Sequence, residues 1–322
     1  MVSPQPVDPF KDLNIYTETY RTVGDHPIQA DVMIPKNAAP GSHAVVFNFH
    51  GGGLVCGSRK QPEVFPLWLS DWAIRTSSII ISADFRLVPE SNGLDILSDL
   101  EVLWTWLHSS LPSRLSTLAP GHDADLSRIL SLGSSGGAWC ALQLGFAHAD
   151  AIRGIFLMYP DLNLGSESRV KGAEAMGETN PLQEAWQVPK AEVDDHVNGM
   201  KVGDVVTVGE DFSRVRLVVG LGYYGRWQEF FGKEKVLYPF ERIKEGVRLP
   251  KKVLVVHGNK DTMVPFGSSE EFVGLVKKYL PNTDVKLVVA EGKDHGYDYP
   301  MGLEEPSIRE AARWIEEAWQ EQ

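Results

Sequence analysis

The residues best suited to chemistry surround a serine near the middle of the chain. Residues Gly133 to Gly137 read Gly-Ser-Ser-Gly-Gly, so Ser135 is the central serine of a G-x-S-x-G pattern. The pattern follows the apolar run Ile129–Leu132 and opens a helical segment, the strand–turn–helix context in which this motif carries a nucleophile. The glycines permit a sharp turn that lifts a hydroxyl above a sheet. Ser135 is therefore the predicted nucleophile, and Ser134 points elsewhere.

A run of three glycines after another predicted strand is the second candidate feature. His50-Gly51-Gly52-Gly53 directly follows the apolar segment Ala44–Phe49. Glycines leave backbone N–H groups uncovered, and fixed N–H donors can form an oxyanion hole that stabilises a tetrahedral intermediate. A phosphate loop would need G-x-x-x-x-G-K-[ST], and a dinucleotide site would need G-x-G-x-x-G opening a helix after the first strand; neither occurs. The run is therefore predicted to bind an oxyanion.

Two residues further along the chain can supply the acid–base partners that a serine requires. Asp261 follows the predicted strand Lys252–His257, and His295 follows the predicted strand Asp284–Val289. Both therefore lie at the carboxyl ends of strands, the sheet edge at which Ser135 also emerges. A serine hydroxyl is a weak nucleophile, so an imidazole must take its proton and a carboxylate must fix the imidazole tautomer. The sequence predicts a catalytic triad of these three residues.

Other ionisable residues fit these roles less well. Asp294 and Asp298 are near the predicted base, but sequence neighbours rarely face a shared ring correctly. Asp84 is expected to be structural, either pairing with Arg86 or holding a loop, and His257 is expected to pack at a strand end. No H-E-x-x-H, no C-x-x-C and no clustered His/Asp spacing occurs, so we expect neither a metal nor another cofactor.

A regular alternation of strands and helices has to position these residues. Two segments alternate in the manner of half-buried antiparallel strands, Asn14–Arg21 and Ile28–Ile34. Apolar runs without alternation, typical of strands covered on both faces, are Ala44–Phe49, Ser78–Asp84, Arg128–Gly133, Ile152–Tyr159, Lys252–His257 and Asp284–Val289. The amphipathic segments are Val64–Ile74, Leu94–His108, Ala138–His148, Ser269–Leu280 and Ser307–Trp319. This order predicts an α/β fold with a doubly wound, mostly parallel sheet, one domain over residues 1–322.

One long segment interrupts the alternation. Residues 163–247 lie between predicted strands that end at Tyr159 and begin at Lys252, and they are too many for a plain connection. We predict that they form an inserted cap, with residues 1–25 as a candidate addition to it. Five aromatic residues crowd at roughly helical spacing within this segment: Tyr223, Tyr224, Trp227, Phe230 and Phe231. Either they pack the cap onto the sheet, or some of them line an acyl or aromatic pocket.

Composition narrows the class of protein. Hydrophobic residues make up 43% and charged residues 23% of the 322 residues, as in ordinary globular enzymes, and the formal net charge is −12. An acidic chain without a dense Lys/Arg patch argues against a nucleic-acid partner. No apolar run approaches the roughly 18 residues of a membrane helix, and the Pro-rich N-terminus does not resemble a signal peptide. Only Cys56 and Cys140 are present, so we expect no disulfide framework and a cytoplasmic location.

Taken together, these motifs resemble the hormone-sensitive-lipase-like esterase branch of the α/β-hydrolases, the fold-3 type. The shared features are His50-Gly51-Gly52-Gly53, Asp84-Phe85-Arg86-Leu87-Val88-Pro89-Glu90, Gly133 to Gly137, Asp261 and His295. The resemblance covers residues 45–297. It implies that the N–H groups of Gly52, Gly53 and Gly136 donate the oxyanion hydrogen bonds, and that His50 orients the loop and is not a base.

The chain departs from that branch near the nucleophile. The branch usually has an acidic residue or threonine before the serine, alanine after it, and an aromatic residue after the glycine run. This chain has Ser134, Gly136 and Leu54 at those positions, so its acyl-side pocket is expected to differ. The cap resembles that of fungal hydrolases of this type, some of which belong to secondary-metabolite pathways.

The predicted function is cleavage of a carboxylic ester of a small or medium-sized molecule through an acyl-enzyme on Ser135. A thioesterase, lactonase, amidase or acyltransferase acting on a secondary-metabolite intermediate would use the same triad, because the chemistry up to the acyl-enzyme is shared. A non-catalytic small-molecule receptor on the same fold is the other alternative. Relative rates on ester, thioester and anilide substrates separate the enzymes, and labelling with a fluorophosphonate separates enzyme from receptor.

Overall fold

An eight-stranded sheet organises the chain, of which the computed structural model describes residues 7–320. The strands are β1 (Leu13–Val23), β2 (His26–Pro35), β3 (Gly41–Phe49), β4 (Ile79–Ala83), β5 (His122–Ser134), β6 (Ile152–Met158), β7 (Lys252–Gly258) and β8 (Asp284–Ala290). Their order is β1-β2-β4-β3-β5-β6-β7-β8. Strand β2 is antiparallel to both β1 and β4, and every other neighbouring pair is parallel. The predicted mostly parallel α/β sheet is confirmed.

The helices divide into a set that flanks the sheet and a set inside residues 163–247. In chain order they are α1 (Leu67–Thr76), α2 (Gly93–Ser109), α3 (Leu111–Leu118), α4 (Gly137–Ala147), α5 (Glu167–Lys171), α6 (Ala173–Met176), α7 (Pro181–Trp186), α8 (Lys190–Gly199), α9 (Phe212–Tyr223), α10 (Trp227–Phe231), α11 (Pro239–Lys244), α12 (Phe266–Tyr279) and α13 (Pro306–Gln320). Helices α5 to α11 belong to the second set. None of the described helices is both long and apolar enough to cross a membrane.

Burial on both faces explains why the central strands show no polar alternation. In β3, Val45, Phe47 and Phe49 belong to one buried apolar cluster, while Ala44 and Val46 belong to another. Successive side chains of a strand point to opposite faces, so the sheet separates two layers of core. A strand of this kind needs apolar residues at every position. Its carboxyl end is then the natural place for polar residues to emerge.

The segment 163–247, which we call the cap segment, packs against the flanking helices of the sheet. The buried ring of Phe231 lies 5.4 Å from the ring of Trp139 in α4, centroid to centroid, and 5.0 Å from the ring of Trp227. These two aromatic residues of the cap segment therefore serve packing. Of residues 1–25, Leu13–Val23 forms the edge strand β1 of the sheet. Residues 1–6, also named above as a candidate part of the cap, lie outside the described part of the chain.

Candidate active site

Ser135 lies in the sharp turn between β5 and α4. Its φ angle is 51°, in the left-handed region that costs free energy for a residue with a side chain. The turn is so tight that a methyl group added to Gly133 would lie 2.3 Å from the carbonyl oxygen of Gly137. The Ser135 N–H donates a 2.9 Å hydrogen bond to the carbonyl of Met158, at the end of the neighbouring strand β6. Ser135 is thus fixed at the carboxyl edge of the sheet, as the motif predicts.

Residues 50–59, which we call the glycine loop, pass directly beside this turn. A methyl group added to Gly51 would lie 3.4 Å from Cβ of Ser135, and one added to Gly136 would lie 2.7 Å from the amide nitrogen of Gly53. Gly52 and Gly53 have φ angles of 103° and 61°. The three residues predicted as oxyanion donors, Gly52, Gly53 and Gly136, are therefore brought together next to the serine.

His50 holds the beginning of the glycine loop and is buried. Its ring stacks on Phe85 at a centroid distance of 4.6 Å, and its Nδ1 lies 2.8 Å from the carbonyl oxygen of Gly51. Because a carbonyl oxygen can only accept, Nδ1 carries the hydrogen. Burial lowers the pKa of His50 to about 4, despite the opposing effect of the Gly51 hydrogen bond. His50 is thus a neutral ring that orients the loop.

His295 and Asp261 form a buried pair at the same sheet edge. Nδ1 of His295 lies 2.8 Å from Oδ2 of Asp261, and the side chains are 8% and 0% exposed. Asp261 follows β7 and His295 follows β8, so two adjacent parallel strands deliver the pair. With a carboxylate at Nδ1, the ring presents Nε2 for chemistry. The predicted acid and base are therefore in contact.

Three more donors satisfy the Asp261 carboxylate. Its Oδ1 accepts 2.8 Å hydrogen bonds from the backbone N–H groups of Met263 and Val264, and its Oδ2 lies 3.1 Å from Nε2 of His257. Burial alone would raise the pKa of Asp261, but the hydrogen bonds from His257 and His295 outweigh that effect and hold the pKa well below its usual range. These contacts favour the ionised form of Asp261.

Tyr159 connects the histidine to the serine turn. Its ring lies 4.4 Å from the ring of His295, centroid to centroid, and it is the residue after Met158, whose carbonyl accepts from the Ser135 N–H. Tyr159 itself has a positive φ of 33° and is fully buried. His295 and Ser135 therefore contact the same two-residue segment at the end of β6.

The other acidic residues near His295 have different partners. Asp294 accepts hydrogen bonds from the backbone N–H groups of Thr262 and His295, at 2.8 and 2.7 Å, and so joins the two loops that carry the pair. Asp298 is buried and accepts from Nε1 of Trp68 and the hydroxyl of Tyr159, and burial raises its pKa. The Asp294 carboxylate thus binds backbone N–H groups, and the Asp298 carboxylate binds two buried aromatic side chains.

Asp84 does not pair with Arg86, which is one of the two structural roles predicted for it. Asp84 accepts a 2.8 Å hydrogen bond from the backbone N–H of Arg59 and also binds the Arg59 guanidinium, whereas Arg86 binds Asp99 and Asp95. The pairing expectation is wrong because the backbone turns Arg86 towards α2, where Asp99 is buried. The alternative, that Asp84 holds a loop, is confirmed, since Arg59 ends the glycine loop.

Two residues of the site were missed in the sequence. The sequence predicts only packing for His257, although its ring also contacts Asp261. Its position four residues before the acid is the one feature of the sequence that indicates this contact. Arg214, in α9, reaches the glycine loop from more than 150 residues further along the chain, and no local pattern indicates this contact. Within residues 7–320, no group of three or more His, Cys, Asp or Glu is arranged to hold a metal ion.

Similarity to known proteins identifies the family of the chain. Residues 46–198 match the alpha/beta hydrolase fold family. The chain is 31% identical over 314 residues to the probable carboxylesterase M8 of Phoma sp., covering 93% of this chain and 94% of that protein. It is 23% identical over 317 residues to the non-reducing polyketide synthase Preu6 of Preussia isomera, covering 89% of this chain but 14% of the synthase.

Solved structures share the fold at low sequence identity. Thermogutta terrifontis esterase 2, in a structure phosphorylated by paraoxon, superposes with a TM-score of 0.58 at 17% identity. The superposition covers 96% of this chain and 93% of the esterase.

Proposed function

The chain belongs to the α/β-hydrolase fold family, and from that premise we propose that Ser135, His295 and Asp261 are the catalytic triad of a carboxylic ester hydrolase. One observation carries this assignment: a buried histidine–aspartate pair lies at the sheet edge where a strained serine turn meets the glycine loop. The match to a fungal carboxylesterase along nearly the whole chain supports ester cleavage as the reaction.

Acylation begins with proton transfer. Asp261 accepts the Nδ1 hydrogen of His295, so Nε2 has a free lone pair and takes the proton of Ser135 Oγ as that oxygen attacks the ester carbonyl carbon. The proposal adds one contact to those described above, a hydrogen bond between Ser135 Oγ and His295 Nε2. Such contacts are often long in free enzymes and tighten when substrate binds.

The glycine loop stabilises the charge that develops in this step. The carbonyl oxygen becomes an oxyanion, and the N–H groups of Gly52, Gly53 and Gly136 are the proposed donors to it. When the tetrahedral intermediate collapses, the C–O bond to the alcohol breaks and Nε2 returns its proton to the leaving oxygen. Water, deprotonated by the same nitrogen, then attacks the acyl-enzyme. The bond between the acyl carbon and Ser135 Oγ breaks, Nε2 returns the proton to Oγ, and the carboxylic acid leaves.

The substrate is a small-molecule ester, and the reaction as written uses the triad side chains, the three backbone N–H groups and water. The size of the acyl group depends on the cap segment, whose resemblance to fungal hydrolases of secondary metabolism motivates a small or medium-sized ester. The cytoplasmic location stays a prediction.

Thioester cleavage is a second candidate, favoured by one observation. A stretch equal to 14% of a polyketide synthase aligns with 89% of this chain, so a unit of this kind also occurs within an enzyme that builds polyketides. A thioester would form the same acyl-enzyme on Ser135 with a thiol as leaving group. Initial rates on matched oxygen ester, thioester and anilide substrates with the same acyl group would rank the two activities.

Substitution of the nucleophile tests the main proposal. Ser135→Ala should lower turnover of p-nitrophenyl acetate by at least ~10³-fold, because the triad acts as a unit, and it should abolish covalent labelling by a fluorophosphonate. Ser134→Ala is the matched control, since it removes the neighbouring hydroxyl and should keep both activities within a few-fold. Full activity in Ser135→Ala, or probe mass on a peptide lacking residue 135, would overturn the assignment.

A further inference from the structure

A buried arginine of the cap segment reaches into the glycine loop. Arg214 lies in the first turn of α9, and its side chain is 7% exposed. Its Nε donates a 2.7 Å hydrogen bond to the carbonyl of Val55, and one terminal nitrogen donates a 2.9 Å bond to the carbonyl of Val88. The guanidinium also grips both carboxylate oxygens of Glu90, at 2.8 and 2.9 Å. Arg214 is therefore fixed by a bidentate ion pair and two backbone acceptors.

The carbonyl of Val55 belongs to the turn that shapes the predicted oxyanion donors. The N–H groups of Val55 and Cys56 both donate 3.0 Å hydrogen bonds to the carbonyl of Gly52. Gly52, Gly53 and Leu54 all have positive φ angles, of 103°, 61° and 63°. Glycine adopts positive φ angles readily, but Leu54 carries a side chain and persists in this conformation only where its surroundings hold it. A donor fixed on Val55 supplies part of that constraint.

Other contacts from the cap segment support the same loop. Gly57 and Gly209 exchange two backbone hydrogen bonds, of 2.7 and 3.0 Å. In α9, Val218 lies so close to the loop that a methyl group added to Gly53 would be 2.7 Å from its Cγ1. The hydroxyl of Ser58 also donates a hydrogen bond to the carboxylate of Glu210. The cap segment thus contacts the glycine loop at several points, and Arg214 is the one that binds the Val55 carbonyl beside the Gly52 turn.

We propose that Arg214 is a positioning residue, through which the cap segment holds the N–H groups of Gly52 and Gly53 in place for the oxyanion. This inference rests on the proposed function. Arg214 does not contact the reacting atoms, and its effect passes through the Val55 carbonyl and the Gly52 turn. The planar fork of arginine matches the carboxylate of Glu90 while Nε remains free for the carbonyl, a combination that lysine cannot reproduce.

The test compares two arginines of the same helix. Arg216, two residues further along α9, also makes a bidentate pair, with Glu192, but within the cap segment. We expect Arg214→Met to lower kcat for p-nitrophenyl acetate about 10- to 100-fold, a partial loss of oxyanion stabilisation, with KM changed less than about threefold. Arg216→Met should leave kcat within about threefold of the wild type. Arg214→Lys keeps the positive charge but lacks the planar guanidinium, so its kcat should be as low as that of Arg214→Met. It also serves as the second variant if Arg214→Met does not fold.

The outcomes separate the two proposals. An active wild type, an inactive Ser135→Ala and an Arg214 variant with unchanged kcat would overturn the positioning role alone. So would equal losses in the Arg214 and Arg216 variants, or a loss confined to KM. An inactive wild type, or an active Ser135→Ala, would instead remove the proposed function. Thermal unfolding of each variant fixes an assay temperature at which all of them are folded.

Discussion

Nε2 of His257 lies 3.1 Å from Oδ2 of Asp261, the same oxygen that accepts from Nδ1 of His295 at 2.8 Å. His257 is fully buried, and its Nε2 also lies 3.2 Å from the carbonyl of Val264. Two acceptors at Nε2 require a hydrogen on that nitrogen, and Nδ1 lies 2.7 Å from the hydroxyl oxygen of Ser269. The proposed triad acid is thus held by a second histidine.

Replacing His257 should therefore weaken catalysis without removing any reacting group. His257→Phe deletes a hydrogen bond to a charged carboxylate, an interaction of about 1.5–3 kcal/mol, and leaves Asp261 freer to rotate away from His295. We expect kcat to fall by roughly 10-fold, with KM little changed. Steady-state kinetics on p-nitrophenyl acetate measure this. His108→Phe, on the exposed face of α2, is the control, and an equal effect in both variants would contradict the prediction.

Asp261→Asn should be far more damaging. An amide can offer a hydrogen where Nδ1 needs an acceptor, which favours the wrong imidazole tautomer and removes the charge that stabilises the imidazolium. The expected loss in kcat is on the order of 10⁴-fold, at unchanged secondary structure by circular dichroism. Asp284→Asn, an exposed residue at the start of β8, should retain wild-type kcat. A loss of less than about tenfold in Asp261→Asn would point to another acid.

The sheet could be predicted from the sequence because its strands carry their own signals. Strands buried on both faces need apolar residues at every position, as Val45 and Val46 illustrate. The two segments that alternate in sequence form the antiparallel strands β1 and β2. Helix α3 was not predicted, since its eight residues give too short a pattern. The site followed from the same logic, because parallel strands deliver the residues after their carboxyl ends to one edge.

Contacts that join distant segments could not be predicted. No sequence pattern marks Arg59, yet it binds Asp31 in β2 and Asp84 after the neighbouring strand β4. A buried charged side chain is stable only when it is paired. Arg214 is a similar case. Pairing of β2 with β4 brings the two partners of Arg59 together, and the packing of the cap segment against the glycine loop brings Arg214 to Glu90.

His50 predicts a pH dependence of stability. Its pKa is about 4 in the folded protein, because of burial, against 6.5 in an unfolded chain. Between these values the unfolded state binds more protons, so this residue makes the folded protein less stable as pH falls from about 6.5 to 4. The full difference corresponds to about 3 kcal/mol of unfolding free energy. Urea unfolding at pH 7 and pH 4.5, for wild type and His50→Asn, measures the contribution.

Other groups titrate in the same range, so the informative quantity is the difference between the two proteins. His50→Asn should lose less stability between pH 7 and 4.5 than the wild type does, even if it is less stable at pH 7. His108→Asn, at an exposed position of α2, is the control substitution. Parallel pH curves for His50→Asn and wild type would show that the His50 ring is already protonated, or solvated, in the folded state.

Gly136→Ala tests whether the glycine loop and the serine turn must touch. Gly136 has an ordinary φ of −58°, so alanine is compatible with its backbone. The added methyl group, however, would lie 2.7 Å from both Cα and N of Gly53, and the loop must move. Displacing a proposed oxyanion donor should lower kcat by about 10- to 100-fold, somewhat less than its complete removal.

Gly274→Ala in α12, whose methyl group meets nothing within 4 Å, is the matched control and should keep wild-type kcat with slightly higher thermal stability. A wild-type kcat in Gly136→Ala would mean that the loop can move without loss of activity. The N–H of Gly53 would then not be a fixed donor to the oxyanion.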